Sequence, residues 1–221
     1  MSVYITGDIH GDLLRFSPEY LENENVSLEE DDIIIVTGDF GIPFGGEYIE
    51  HDEKAIRLLS KQKYIVCFCD GCHDNYSMLN RIPDVEWCGG LVNPIAPNII
   101  RLKTGHIYDI EGNSFFVFGG GVSSDKEYRT ENKNWWKEEF PSEYFINSGI
   151  ERLIKHESKV DYVISHTPPV SFETCNNEVT AILRAIKENI EYKEWFSGCV
   201  HIDRYFPDEK LRCLCHKIHK I

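Results

Sequence analysis

The chain has 221 residues, 42% of them hydrophobic and 12% aromatic, which is enough apolar material for one domain with a sizeable core and excludes a disordered chain. A formal charge of −14, with no Lys/Arg cluster interleaved with aromatics, excludes the basic stripe that a long phosphate backbone requires. No apolar run approaches the roughly 18 residues of a membrane-spanning helix. The sequence opens on Met1-Ser2-Val3-Tyr4-Ile5 with no basic leader, so the expected location is the cytoplasm. Thiols there stay reduced, and eight cysteines point to metal or redox chemistry before a disulfide framework.

In chain order, Val3–Thr6 reads as a short buried strand running into Gly7-Asp8-Ile9-His10-Gly11-Asp12, with Asp12 expected to cap a helix just beyond it. Ile33–Thr37 is a continuous β-branched run, the signature of a strand covered on both faces, and it ends in Gly38-Asp39-Phe40-Gly41. A helix is expected around Asp52–Lys61, with Ala55, Ile56, Leu58 and Leu59 on its apolar side. Tyr64–Cys69 is the next strand and leads into Asp70-Gly71-Cys72-His73-Asp74-Asn75. Ile99–Leu102, His106–Ile110 and Ser114–Phe118 come next as strands joined by two expected hairpin turns, Lys103-Thr104-Gly105 and Glu111-Gly112-Asn113. Val122–Ser142 is polar and rich in Trp and Glu, and is read as a lid or insertion loop.

Ile146–His156 is expected to be helical, and the strand Tyr162–Ser165 ends in His166-Thr167-Pro168-Pro169. Val179, Ile182, Leu183, Ile186 and Ile190 recur at helical spacing. The strand Glu194–Ser197 runs into Gly198-Cys199-Val200-His201, and Arg212–Ile218 is expected to close the chain as one strand. No repeat, low-complexity tract or Pro/Ser-rich linker interrupts this order, so residues 1–221 are read as a single domain.

Five times an apolar strand is followed within a few residues by Asp, His or Cys. In α/β sheets ligands gather beyond the carboxyl ends of strands, so Asp8, His10, Asp39, Cys72, His73, His166, Cys199 and His201 are expected around one cavity. Each motif alone has a plain structural reading, a turn acid or a satisfied histidine. The ordered set carries the inference. On the same footing, His51, His106, His156, His216 and His219 are read as structural or exposed, and Cys67, Cys88, Cys175, Cys213 and Cys215 as small buried hydrophobes or unremarkable thiols.

Gly7-Asp8-Ile9-His10, Gly38-Asp39-Phe40-Gly41, Gly71-Cys72-His73-Asp74, Ser165-His166 and Gly198-Cys199-Val200-His201 resemble, in order and spacing, the five motifs of the calcineurin-like metallophosphoesterases, written GDxH, GDxxx, GNH[DE], [GS]H and GHxH. Within Gly119–Ser142, Ser124-Asp125-Lys126, Trp135-Trp136 and Pro141-Ser142 are similar to a bacterial and phage branch. The resemblance implies a four-layer α/β/β/α sandwich with two central mixed sheets; the residue pattern by itself supports only α/β with donors at strand ends. It also implies hydrolysis of a small phosphorylated substrate by a metal-activated water, with two transition-metal ions. Asp8, His10 and His201 would hold one ion, Asp39 would bridge, and His166 with positions 72 and 199 would complete the second site. His73 would act as general acid, with Asp74 either orienting it or serving as a turn acid. Arg129 and Lys126 are candidates for substrate phosphate or for surface ion pairs.

Against the family pattern, Cys72 stands where Asn is usual and Cys199 where His is usual, both in the second subsite. Three readings stay open. The first is a softer site of Asp39, Cys72, His166 and Cys199 that favours Zn or Fe, with Mn also admitted at the other site. The second is a weakened or phospholigand-binding site, and the third a Cys72–Cys199 disulfide that makes the enzyme redox-sensitive. A nucleotide or cyclic-nucleotide phosphodiesterase is the alternative activity; the sequence does not specify an oligomeric state.

Overall fold

The computed structural model describes residues 1–221. Its strands are β1 (Val3–Thr6), β2 (Ile33–Val36), β3 (Ile65–Phe68), β4 (Val85–Trp87), β5 (Gly90–Ala96), β6 (Ile99–Leu102), β7 (His106–Ile110), β8 (Asn113–Phe118), β9 (Tyr162–Ser165), β10 (Glu194–Ser197), β11 (Arg204–Phe206), β12 (Leu211–Cys213) and β13 (Ile218–Lys220). The helices are α1 (Pro18–Asn23), α2 (Ile49–Leu59), α3 (Tyr76–Leu79), α4 (Glu143–Lys155) and α5 (Glu178–Lys187). Two mixed sheets result, of seven strands ordered β13-β1-β2-β3-β6-β5-β4 and of six ordered β11-β12-β10-β9-β8-β7.

The β-branched runs explain the layering. In β2, Ile33 and Ile35 point between the sheets, where they meet Tyr108, Phe115, Val117, Ile164 and Phe196. Ile34 and Val36 point the other way, onto Ala55 and Leu59 of α2. A period of two with every residue apolar requires cover on both faces, and this strand has it. On the outer face of the second sheet, Leu153 of α4 and Val179, Leu183 and Ile186 of α5 pack on Phe116, Phe118, Val163 and Trp195. Three apolar layers thus separate four structural ones: helices, sheet, sheet, helices. This is an α/β fold with two mixed sheets flanked by helices.

Several expectations change. Lys103-Thr104-Gly105 does not close a hairpin: β6 lies in the first sheet and β7 in the second, so the turn carries the chain between sheets. Glu111-Gly112 does close one, with Ile110 paired to Asn113 and both turn residues at positive φ. Arg212–Ile218 divides into β12 in the second sheet and β13 in the first, which pairs antiparallel with β1. The β4–β5 edge hairpin and β11 were not anticipated. Leu58 of α2 is exposed, and the buried face of that helix is Asp52, Ala55 and Leu59. Asp52 is buried because its carboxylate accepts the N–H groups of Phe44 (2.9 Å) and Gly45 (2.6 Å). Ile190 falls beyond the end of α5. Residues 122–142 form an irregular segment, with Trp136 buried edge-on against Phe44 and Glu139 accepting from Ser123.

Candidate metal centre

The five loops after β1, β2, β3, β9 and β10 are tied to one another. Ile9 and His10 N–H both donate to the Asp39 carbonyl, at 3.2 and 2.8 Å, and Gly11 N–H donates to that of Phe40. Asp74 accepts Gly41 N–H on one oxygen and Gly71 N–H on the other, each at 2.7 Å, locking the third loop to the second. Cys199 N–H donates to Asp8 Oδ2 (2.9 Å), and His166 Nδ1 lies 3.2 Å from the Thr37 carbonyl. Strand ends set these loops close together; the cross-bonds fix where each side chain points.

The side chains converge in three overlapping clusters whose donor atoms lie within 4.8 Å of one another: Asp8/His10/His201, His10/Asp39/His73 and Asp8/Asp39/His166. His201 Nε2 is 3.2 Å from Asp8 Oδ2 and 3.3 Å from His10 Nε2. His166 spans the two carboxylates, with Nδ1 3.5 Å from Asp8 Oδ1 and Nε2 3.7 Å from Asp39 Oδ1. Asp39 also accepts the backbone N–H of His73 and meets its Nδ1, both at 2.7 Å.

The donor set fits divalent cations. Asp8 Oδ1 is buried with no hydrogen-bond partner, which a carboxylate tolerates only where a positive charge compensates it. Gly198 and Gly71 leave room for the carboxylates, since a Cβ at either position would strike Asp8 Oδ1 or Asp39 Oδ1. His10, Asp39, Cys199 and His201 all adopt φ between 44° and 63°, a region that non-glycine residues occupy at a cost of order 1–3 kcal/mol each. Burial alone would hold the His166 imidazole neutral, but Asp39 and Asp8 override it and raise its pKa well above the usual range. Burial likewise pushes the two carboxylates up, and His166 outweighs it and lowers both. A cation is what two carboxylates at this spacing demand.

The sulfurs behave differently. None of the three clusters contains one. Cys72 is buried against His166, and burial pushes its thiol up to about 12. The Cys199 sulfur lies 3.3 Å from that of Cys175, a residue read from sequence as core filler. The Cys175 thiol beside it pulls Cys199 down to about 5. The sulfur that Cys199 meets is therefore that of Cys175.

Three further residues carried two readings each. Asp74 does not touch His73; it bonds backbone N–H groups, and Asp39 is the carboxylate that orients the imidazole. Burial pushes Asp74 up to about 7, with Asp39 adding to the effect. Lys126 stacks its ammonium 4.2 Å above the Trp135 ring instead of entering the site. Arg129 does enter: its Nη2 meets His73 Nε2 and pairs with Asp125 Oδ2 at 2.8 Å. A cavity of about 340 Å³ is lined by Asp8, His10 and His201 together with Arg15, Tyr20 and His216. Behind the third loop lies an ion pair the sequence did not announce, Arg101 with Asp70, bidentate at 2.6 and 2.9 Å and almost fully buried.

Among solved structures the chain is similar to the phosphopantetheinyl hydrolase PptH from Mycobacterium tuberculosis, at 14% identity and a TM-score of 0.45 over 96% of this chain and 87% of that one. It is also similar to a protein serine/threonine phosphatase from Saccharomyces cerevisiae (11%, TM-score 0.39, 97% of this chain and 67% of that one) and to the calcineurin-like phosphoesterase YfkN from Bacillus subtilis (12%, TM-score 0.37, 91% and 72%). No curated protein matches the chain. The Metallophos profile, described as calcineurin-like phosphoesterase, matches residues 1–215. With that match spanning almost the whole chain and the Asp/His clusters in place, the chain belongs to the calcineurin-like phosphoesterase family, and it is a phosphoric ester hydrolase.

Proposed function

We propose that this hydrolase acts on a small phosphomonoester or phosphodiester with two cations held between the sheets. The observation that carries the reading is the convergence of Asp8, His10, Asp39, His166 and His201 from separate strand-end loops. Asp8, His10 and His201 would hold the first cation, Asp39 would serve both positions, and His166 would belong to the second. When bound, such a pair supplies Lewis acidity and lowers the pKa of a shared water towards neutrality. A second site that added Cys72 and Cys199 to His166 would be softer and favour Zn or Fe, while the carboxylate–imidazole side also suits Mn.

The chain's own residues do the rest. Asp39 holds His73 through Nδ1, which leaves Nε2 as the nitrogen that would deliver a proton to the leaving oxygen once Arg129, a donor that cannot share a protonated Nε2, has turned away from it. Arg129 approaches that same nitrogen and is placed to bind phosphoryl oxygens as a bidentate donor. The cavity beside Asp8 suits a small leaving group, and the charge of −14 disfavours a long nucleic acid.

The deciding experiment measures the metals in purified protein and its turnover of p-nitrophenyl phosphate and bis-p-nitrophenyl phosphate with Zn, Fe, Mn and Mg. The expected result is metal-dependent turnover, and a fall of about 100-fold or more in His73→Ala. The ratio of the two esters separates monoesterase from diesterase. Absence of turnover with every metal would overturn the reading, and Mg or Mn alone at the second site would overturn the sulfur-containing one.

A further inference from the structure

Cys175 and Cys199 bring their sulfurs to 3.3 Å from two different loops. Cys175 ends a tight turn in which Phe172 and Cys175 exchange backbone hydrogen bonds of 2.9 and 3.1 Å. Two residues later Asn177 caps α5 by accepting the N–H groups of Val179 and Thr180. Cys199 comes after β10 at φ +63°, pinned through its N–H to Asp8. Both backbones are thus anchored on either side of the contact, so the sulfurs meet by construction. Their exposures differ as well: Cys175 is 4% exposed, whereas Cys199 is only half-buried.

The other thiols lack such a neighbour. Cys67 and Cys69 fill the layer between the sheets, Cys213 contacts Ser197, Cys72 lies against His166, and Cys88 and Cys215 stand alone near the surface. Closing from 3.3 Å to the roughly 2.0 Å of a sulfur–sulfur bond is a movement of about 1.3 Å.

We propose that Cys175 and Cys199 form a peroxide-responsive thiol pair, in which Cys199 is attacked first and Cys175 resolves. Cys199 sulfur attacks one oxygen of hydrogen peroxide, the O–O bond breaks, and water leaves as Cys199 becomes a sulfenic acid. Cys175 sulfur then attacks Cys199 sulfur, the S–O bond breaks, and a second water leaves. In sum, two thiols lose two electrons and two protons, and one peroxide becomes two waters. The bridge ties Cys199, whose N–H is bonded to Asp8, to the turn before α5. Its effect on turnover rests on the hydrolase reading; its formation does not.

The full-length protein is treated with stoichiometric hydrogen peroxide, with and without dimedone, alkylated, digested with trypsin and mapped by mass spectrometry. Residues 160–184 and 194–204 form tryptic peptides with a single cysteine each, Cys175 and Cys199. The expected result is that these two peptides become linked and that dithiothreitol releases them. Dimedone should mark 194–204 and not 160–184, and Cys175→Ser should give the dimedone adduct without the link. Turnover of p-nitrophenyl phosphate should fall about tenfold with the link and return with dithiothreitol. Should Cys175→Ser fail to fold, the wild-type map alone decides. Both peptides remaining singly alkylated, or 194–204 linked instead to the peptide carrying Cys72, would overturn the pair. A link without loss of turnover overturns its coupling to the site. Absence of turnover in every redox state speaks against the hydrolase reading and leaves the peptide map to judge the pair.

Discussion

The two sheets contribute unlike chemistry to one cleft. From the first come both carboxylates, Asp8 and Asp39, with His10, Cys72 and His73 beside them. From the second come His166, Cys199 and His201, donors that carry no fixed negative charge except through a thiolate. Two carboxylates buried together repel, and the imidazole of His166, arriving from the opposite sheet, lies 3.5 Å from one and 3.7 Å from the other and helps to offset that repulsion. Neither sheet could assemble the site alone. The same contacts that would hold cations therefore also dock one half of the sandwich on the other, so metal and sheet association are thermodynamically linked.

The strongest way to break this arrangement is to remove the carboxylate that touches both halves. Asp39 meets His10 and His73 of the first sheet and His166 of the second. Asp39→Ala should lower turnover by about 10³-fold, the several kcal/mol that a lost central charge represents, and should reduce the metal content read by mass spectrometry. His201→Ala, which removes a second-sheet donor at the rim, should lose one ion and retain the other. Equal loss of both ions in the two variants would show that the halves are not distinct.

A smaller effect is confined to the first sheet. Arg101 and Asp70 are both buried, and Arg101 also donates to Asn80 and Asn93. Asp70 is the residue from which the Cys72–His73 loop departs. Arg101→Met strands a buried carboxylate and should destabilise the fold by about 3–5 kcal/mol in urea unfolding. Arg101→Met with Asp70→Leu should recover much of that loss, because the cost lies in the unpaired charge. A single variant as stable as wild type would show that Asp70 finds water or another partner.

The same contrast explains what was legible in the sequence. Buried parallel strands read as unbroken apolar runs, and their carboxyl ends mark the cleft, so β1, β2, β3, β9 and β10 emerged directly, together with the six Asp and His positions that the structure clusters. Which sheet a strand joins did not emerge. Lys103-Thr104-Gly105 carries an ordinary turn signal, and only three-dimensional packing decides that β7 leaves the first sheet for the second. The β4–β5 hairpin was hidden because it forms a half-exposed edge and carries Pro94 within it. Cys175 looked like filler because its partner lies 24 residues away on another loop, and Asp74 next to His73 invited a pairing that backbone N–H groups pre-empt. Sequence adjacency is a poor guide where loops fold across one another.

The smallest effect concerns the seam between the sheets, at His106 on β7. Its Nδ1 accepts the N–H of Leu91, from β5 of the first sheet, at 3.2 Å, which requires a neutral ring. Burial lowers its pKa to about 4, with Arg152 and Lys103 reinforcing the shift and Asp84 opposing it. The unfolded chain, with the ordinary value of 6.5, takes up the proton first, so acid favours unfolding. The contribution is fully present above pH 6.5 and is lost as pH falls from 6.5 towards 4, amounting to about 1–2 kcal/mol once partial solvation is allowed for. His106→Asn keeps an acceptor for Leu91 and cannot charge in this range. With chelator present throughout, to silence the metal site, wild type should therefore lose more stability than His106→Asn between pH 7 and pH 5. Parallel pH profiles for the two proteins would mean that the seam is indifferent to this proton and that the acid sensitivity of the sandwich resides in Asp8 and Asp39.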